Sequence, residues 1–139
     1  MRTLYQTKVV AIGGRDGHVR SEDGIIDLDV RKPKSMGGPD GAYTNPEQLF
    51  AAGYSACFGS ALMGIAAHKH LKIESKVTAT VGLQVSETDG YSISAAIDVE
   101  ISGVEKDVAL DLLAQAHATC PYSKATRNNV DVQVNLVEA

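Results

Sequence analysis

Hydrophobic and polar residues alternate through the first part of the chain, with the period of two that is typical of β-strands. The segment TLYQTKVVAI, residues 3–12, predicts one strand. The segment HVRSEDGIIDLDV, residues 18–30, predicts two short strands that are separated by its Glu-Asp-Gly sequence. Between them, GGRDG at residues 13–17 predicts a glycine turn.

A long helix is predicted from Pro46 to about His70, after a loop rich in glycine and proline. Asn45 is the expected N-cap, and Pro46 suits the first helical position. Hydrophobic residues cover nearly every face of this helix, which predicts burial on all sides. The serines and glycines within it favour a buried helix of a soluble protein over a membrane span. Because a chain of 139 residues has little left to surround it, we expect a second subunit to cover part of the helix.

The second half of the chain alternates between strand and helix patterns. These elements are strands at 72–87 and 91–102, an amphipathic helix at 104–120, a short helix at 120–127 and a last strand at 129–137. The order β-β-β-α-β-β-α-β predicts an α+β fold in which antiparallel sheets wrap around the long central apolar helix. We expect one domain over residues 1–139.

Charge and composition exclude some classes of function. The formal net charge is −4, and no basic patch with interleaved aromatic residues is present, which argues against binding of nucleic acid. No apolar segment followed by a small-residue cleavage site opens the chain, so we expect a cytoplasmic protein without a membrane partner. In a reducing compartment, the two cysteines are expected to be redox-active or structural thiols.

Cys57 and Cys120 are the candidates for chemistry. Cys57 lies in the middle of the apolar helix, where a small buried hydrophobe and a reactive thiol are both consistent with its surroundings. A reactive thiol there needs a nearby cation, because no helix N-terminus is close. Cys120 directly precedes Pro121, where the N-terminal end of a short helix lowers a thiol pKa; a cysteine without a role is the alternative.

Other polar residues leave further alternatives open. Cys57, Cys120 and His117 together offer zinc-type ligands, but they lack a fourth ligand and a CxxC pair. Glu47 suits the helix dipole, and Arg15 suits a solvated turn tip. The turn that contains Arg15 does not have the spacing of a phosphate-binding loop.

Two longer motifs place the chain in a family. TNPEQLFAAGYSACF (44–58) and CPYSKATRNN (120–129) resemble the two cysteine motifs of the organic hydroperoxide resistance proteins, members of the osmotically inducible protein C-like superfamily. GGRDG and the GG-containing loop before TNPEQ are also similar to this family. The resemblance covers essentially the whole chain, although the strands at 71–102 carry little that identifies the family.

The resemblance implies a cofactor-free and metal-free thiol peroxidase that reduces organic hydroperoxides to alcohols. It implies that Cys57 is the peroxidatic thiol and that Cys120 resolves its sulfenic acid into an intramolecular disulfide. It also implies that Arg15 and Glu47 form a pair beside the reactive sulfur. An intertwined homodimer and a dihydrolipoyl-bearing protein as the reductant are further implications.

The chemistry of these side chains agrees with such roles. Arg15 stays charged and would hold the thiolate, while a carboxylate orients a guanidinium through two hydrogen bonds. Glu47 and Cys57 are ten residues apart, about 15 Å along a straight helix and roughly 80° around it. Either the helix breaks near Gly53, or Glu47 approaches Cys57 from a second subunit, which is the version that we expect.

We expect an apolar pocket to favour organic hydroperoxides over hydrogen peroxide. Its predicted lining is Met36, Leu49, Phe50 and Phe58. Two other functions fit the same residues. One is a redox switch or binding protein that forms the disulfide without efficient turnover, and the other is a general osmotic-stress relative with a broader choice of peroxide.

Overall fold

The computed structural model describes residues 1–138 and contains two compact units, residues 1–49 and residues 50–138. The first unit is built on a three-stranded antiparallel sheet in the order β1-β2-β3. Its strands are β1 (Val9–Ile12), β2 (Gly17–Ser21) and β3 (Asp27–Val30). The single domain predicted for the whole chain stays a prediction.

The first strand is shorter than the sequence pattern predicts. Strand β1 pairs with β2 only from Val9, opposite Ser21, to Ile12, opposite His18. Beyond Ser21 the partner strand ends in a turn, and residues 3–8 are therefore not part of the ladder. The Lys8 carbonyl still accepts a hydrogen bond from the Glu22 N–H at 3.0 Å, but the ladder ends at Val9, and alternation of polar and apolar residues without a ladder does not produce a strand.

The turn between β1 and β2 depends on glycine. Gly13 has a φ of 82°, a left-handed conformation that residues with a side chain rarely adopt. A Cβ atom at Gly13 would lie 2.6 Å from the carbonyl oxygen of Asp16. The Asp16 N–H donates to the Gly13 carbonyl at 3.0 Å, which closes the turn. Arg15 is carried at its tip.

The long helix α1 spans Pro46–His68 without interruption, so it begins in the first unit and continues through the second. The alternative of a helix break near Gly53, which we did not favour, is therefore excluded. After α1 the second unit consists of β4 (Glu74–Ser86), β5 (Gly90–Ser102), α2 (Lys106–Thr119), α3 (Pro121–Thr126) and β6 (Val132–Leu136). These bounds confirm every element predicted for the second half of the chain, with shifts of a few residues at the ends.

The second sheet, in the order β4-β5-β6, is mixed rather than antiparallel. Strands β4 and β5 form a long antiparallel hairpin that turns at Gly90, but β5 and β6 pair in parallel, from Ala95 opposite Val132 to Val99 opposite Leu136. The prediction of antiparallel sheets is wrong for this pair. Helices α2 and α3 form the connection between β5 and β6, and a crossover of this kind returns the chain in the same direction.

One stripe of α1 contributes to the core of the second unit. Tyr54, Phe58, Leu62 and Ala66 are spaced four residues apart and are buried together with residues of β5 and α2. The other faces are less covered, and Met63 is 45% exposed. Burial on all sides is therefore wrong for the single chain, and the second subunit of the expected intertwined homodimer stays a prediction.

By length and apolar composition alone, α1 is also the one helix of the described residues that could cross a membrane. The core helix of a soluble protein has the same properties. Its buried stripe, which packs against β5 and α2, agrees with that second interpretation.

Candidate active site

Arg15 and Glu47 form a bidentate ion pair within the first unit. Arg15 Nη2 lies 2.7 Å from Glu47 Oε1, and Nη1 lies 3.0 Å from Oε2. The two side chains are 32% and 14% exposed, so the contact is largely shielded from water. The hydrogen bonds from Arg15 hold the pKa of Glu47 below its ordinary value, against the opposing effect of burial. The predicted pair therefore exists in the chain.

The start of α1 fixes the position of Glu47. The side-chain oxygen of Asn45 accepts a hydrogen bond from the Gln48 N–H at 2.8 Å, which confirms the predicted N-cap. Pro46 occupies the first helical position. The Thr44 hydroxyl donates to Gln48 Oε1 at 2.8 Å and ties the preceding loop to the same turn. Glu47 thus projects from a capped, well-defined helix terminus.

The two thiols are neighbours in the second unit, and both are free. Cys57 is partly buried on α1, whereas Cys120 is completely buried at the junction of α2 and α3. Cys120 is the residue before Pro121, as predicted, although its side chain makes no capping hydrogen bond. Two free thiols that lie close together can form a disulfide when an oxidant removes two electrons, and two protons are released.

Burial raises the pKa of Cys57, and the adjacent Cys120 thiol raises it further. A backbone hydrogen bond from Tyr122 acts in the opposite direction. All of these effects on the Cys57 pKa come from the second unit, and none of them comes from a cation. Because the thiolate is the nucleophile, Cys57 needs an additional positive charge in order to react at neutral pH.

A buried polar network lies beside Cys120. The Tyr54 hydroxyl is 2.8 Å from Ser123 Oγ, and Ser123 Oγ is 2.9 Å from His117 Nδ1. The Thr126 hydroxyl lies 3.4 Å from the Tyr54 hydroxyl and donates to backbone carbonyls of its own helix. Burial lowers the pKa of His117. The network fastens α3, the helix that follows Cys120, to α1.

Sequence reasoning missed this network, and it considered His117 only as a metal ligand with Cys57 and Cys120. Within residues 1–138, no group of three or more His, Cys, Asp or Glu side chains is placed to hold a metal ion. The spacing of Ser123 and Thr126 on one face of a short helix was an available signal. Their partner Tyr54 is about 70 residues away, and such a pairing has no local pattern.

An aromatic cluster lies on the same side of the second unit. The rings of Phe50, Tyr54 and Tyr122 lie 5.8 to 6.2 Å apart between centroids, with edge-to-face or tilted geometry. Tyr122 packs over Gly53, where a Cβ atom would lie 2.7 Å from its hydroxyl oxygen. A cavity of about 240 Å³ adjoins the cluster; its lining is Phe50, Ile93, Tyr122, Ala125, Thr126, Asn129 and Val130.

The predicted pocket residues occupy different environments. Phe50 lines this cavity, but Phe58 is completely buried in the core beside the ring of His117. Phe58 can therefore influence a pocket only indirectly, by packing against the residues that line it. Met36 and Leu49 belong to the first unit, where Met36 is 42% exposed and Leu49 is half-buried.

Comparison with known proteins shows to which family the chain belongs. The model of the OsmC-like protein family matches residues 38–135. The chain belongs to the OsmC-like family. The organic hydroperoxide resistance protein OhrB of Bacillus subtilis is 45% identical over 135 residues, which cover 96% of this chain and 98% of that protein. The resemblance found in the two cysteine motifs is thereby confirmed.

Solved structures of this OsmC-like group have the same fold. The crystal structure of OhrB from Bacillus subtilis has a TM-score of 0.89 and 43% identity, and the match covers 97% of this chain and 100% of that one. An organic hydroperoxide resistance protein from Elizabethkingia anophelis, crystallised with thiocyanate bound, gives a TM-score of 0.93 at 44% identity, with both chains fully covered. The α+β fold predicted from the order of the elements is confirmed at this level.

Proposed function

We propose that this OsmC-like protein is a thiol peroxidase that reduces organic hydroperoxides to alcohols. The observation that carries the proposal is that a partly buried thiol, Cys57, packs against the core cluster that contains a completely buried one, Cys120, in a chain of the organic hydroperoxide resistance group. A partly accessible thiol suits attack on a peroxide. A buried neighbour suits the trapping of the oxidised product.

The proposed reaction has two steps in the protein. The Cys57 thiolate attacks the distal oxygen of the hydroperoxide and breaks the O–O bond, which leaves Cys57 as sulfenic acid and releases an alkoxide that takes up a proton to become the alcohol. The Cys120 thiol then attacks the sulfenic sulfur. This forms the disulfide and releases the hydroxyl group as water together with the thiol proton. A dithiol of the dihydrolipoyl class is the proposed reductant of the disulfide.

Arg15 supplies the missing positive charge in this proposal, and Glu47 positions it. The Arg15 guanidinium stabilises the Cys57 thiolate, and Glu47 orients it through the two hydrogen bonds. Helix α1 is continuous through Gly53, which leaves the two-subunit alternative. We therefore assign the Arg15–Glu47 pair of one subunit to the Cys57 of another, in a cytoplasmic homodimer. The raised pKa of Cys57 in the single chain is consistent with an incomplete site.

Mixing two inactive variants tests this assignment. A dimer of a Cys57→Ser chain and a Glu47→Ala chain retains one complete site if the pair and the thiol come from different subunits. If they come from the same subunit, the Glu47→Ala chain supplies the only thiol without its carboxylate. Recovered activity in the isolated heterodimer supports the two-subunit site. Homodimers of each variant are the controls, and a heterodimer no more active than these would contradict it.

The apolar surroundings are proposed to select organic substrates. Phe50 is the residue of the predicted pocket that lines a cavity, and Met36, Leu49 and Phe58 remain part of the proposed lining. A Phe50→Ser substitution is expected to lower kcat/KM for a long alkyl hydroperoxide more than for hydrogen peroxide. Equal losses for the two peroxides would contradict a pocket at this position.

Steady-state turnover of an alkyl hydroperoxide tests the proposed activity. We expect turnover with dihydrolipoamide as the reductant and much slower turnover with a thioredoxin-type dithiol. Disulfide formation without turnover by either dithiol would favour the redox switch. A preference for hydrogen peroxide would favour the general osmotic-stress relative.

A further inference from the structure

Arg31 follows the last residue of β3 and reaches the turn that carries Arg15. Its Nη1 atom donates to the Gly17 carbonyl at 2.8 Å and to the Val30 carbonyl at 2.7 Å. Its Nε atom lies 3.2 Å from Asp16 Oδ1. One guanidinium therefore holds both residues that directly follow Arg15 in the chain.

The same residue also contacts the segment that leads to Glu47. The Arg31 backbone N–H donates to the Thr44 carbonyl at 3.1 Å. The Arg31 guanidinium carbon lies 5.2 Å from the centroid of the Tyr43 ring, a cation–π distance. Thr44 directly precedes the N-cap Asn45 and bonds to the first turn of α1. Arg31 thus joins the Arg15 turn to the base of the helix that carries Glu47.

The connection that Arg31 makes between the Arg15 turn and the segment before α1 has a physical advantage for the ion pair. The turn has left-handed residues at Gly13 and Gly14, and glycine gives the unfolded turn many conformations to lose. A bidentate contact between Arg15 and Glu47 requires the two segments to keep their separation to within a fraction of an ångström. The planar fork of Arg31 is suited to this task, because several donors are fixed in one rigid group.

We infer that Arg31 is a positioning residue for the Arg15–Glu47 pair, which it aligns by fastening the Gly13–Gly17 turn to the segment before α1. It acts through Arg15 and not by contact with the reacting sulfur. The geometric part of the inference stands on the first unit alone. Its consequence for the reactivity of Cys57 rests on the proposed peroxidase function.

Titration of the Glu47 carboxyl by NMR tests the geometric part without any assay of activity. Loss of the guanidinium partner in Arg15→Ala is expected to raise the Glu47 pKa toward its ordinary value. We expect Arg31→Ala to produce about half of that rise or more, because a misplaced Arg15 loses at least one of its two hydrogen bonds. The control is Arg20→Ala, on the neighbouring strand, where Arg20 is 66% exposed and lies 4.0 Å from Asp27. This control should leave the Glu47 pKa unchanged.

The inference is overturned if Arg15→Ala raises the Glu47 pKa and Arg31→Ala does not. Should Arg31→Ala fail to fold, Arg31→Lys decides, since it keeps the charge and can replace only part of the fork. Arg31→Lys is then expected to raise the Glu47 pKa by less than Arg15→Ala does. An unchanged Glu47 pKa overturns the inference.

The pH profile of alkylation of Cys57, measured in a Cys120→Ser background, tests the chemical consequence. Arg31→Ala should raise the kinetic pKa of Cys57 in the presence of Arg15 and should have no further effect in an Arg15→Ala chain. An equal shift in both backgrounds means that Arg31 does not act through Arg15, which contradicts the inference. If Arg15→Ala itself leaves the profile unchanged, the proposed role of Arg15 fails, while the Glu47 titration still decides the role of Arg31.

Discussion

Both carboxylate oxygens of Glu47 are held by the guanidinium of Arg15, at 2.7 and 3.0 Å, in a contact that is partly buried. One partner lies in a glycine turn and the other in the first turn of a long helix. Burying a charged pair costs free energy, because each charge has lost part of its hydration. A pair that is kept in spite of this cost is a candidate for a functional role. We assign to it the activation of a thiol.

The Arg15–Glu47 pair should make stability depend on pH. The folded-state pKa of Glu47 is depressed, so its ionised form stabilises the fold above the unfolded pKa of about 4.3. This contribution is lost as the pH falls through the folded pKa. Glu47→Gln is expected to lower the free energy of unfolding by about 1 kcal/mol at pH 7.

Denaturant unfolding between pH 7 and pH 3 measures this difference between wild type and Glu47→Gln. The difference should shrink toward zero in the acid range. Glu87→Gln, in the exposed turn between β4 and β5, is the control and should not differ from wild type at either end. A Glu47→Gln effect that is the same at pH 3 and pH 7 would contradict the ion pair as its cause.

Loss of the Cys120 thiol should change the oxidation product that forms at Cys57. In Cys120→Ser, the Cys57 sulfenic acid lacks the buried thiol that the structure places beside it, so excess hydroperoxide should convert it to sulfinic acid. Wild-type protein should instead lose two hydrogens and gain an internal disulfide. Mass spectrometry of peptides distinguishes the products, and sulfinic acid as the main early product in both proteins would contradict resolution by Cys120.

Gly53 should be sensitive to a methyl group because Tyr122 packs over it. In Gly53→Ala the new Cβ displaces the Tyr122 ring and reshapes the cavity beside Phe50, and we expect kcat/KM for an alkyl hydroperoxide to fall about 10-fold. Gly64→Ala, on the same helix, meets no atom within 4 Å. This control should keep wild-type kinetics and gain up to about 1 kcal/mol of stability.

NMR of the aromatic protons, together with kinetics, compares the two glycine variants. Only Gly53→Ala should move the resonances of Tyr122. Unchanged kinetics in Gly53→Ala, with a gain in stability equal to that of Gly64→Ala, would show that the packing of Tyr122 on α1 does not matter for the site.

The Tyr54 hydroxyl should contribute to stability through the buried network. Tyr54→Phe removes its hydrogen bond with Ser123, which keeps His117 as a partner. The expected loss is about 1–2 kcal/mol in the free energy of unfolding. Tyr91→Phe is the matched control, since Tyr91 is 75% exposed, and it should change stability by less than about 0.5 kcal/mol. Equal effects of the two substitutions would contradict a role for the network.

Local signals and long-range pairings differed in how well the sequence predicted them. The cap at Asn45, the proline at the start of α1 and the glycine turn around Arg15 are set by neighbouring residues, and these predictions agree with the structure. The parallel pairing of β6 with β5 depends on where two helices return the chain. No periodicity in either strand encodes that direction, and the antiparallel prediction failed for this reason.

Predictions for the candidate site also succeeded for local motifs and failed for long-range pairings. The residue types of Cys57, Cys120, Arg15 and Glu47 could be recognised from motifs, and the Arg15–Glu47 contact was expected from the resemblance. Tyr54 could not be connected with Ser123 from the sequence, because a buried hydroxyl pair is specified only by packing. The single chain buries one stripe of α1 and leaves Met63 exposed, since hydrophobicity indicates that a face avoids water without saying which surface covers it; burial of the other faces by a second subunit stays a prediction.

The most direct test of the proposed peroxidase chemistry is a single turnover of the reduced protein with one equivalent of an alkyl hydroperoxide. The alcohol is measured by chromatography and the state of the cysteines by mass spectrometry. We expect one alcohol for each protein chain, together with a Cys57–Cys120 disulfide, and no alcohol above background from Cys57→Ser. Hydroperoxide that remains intact in the presence of folded, fully reduced protein, or alcohol formed equally well by Cys57→Ser, would contradict a peroxidase that acts through Cys57.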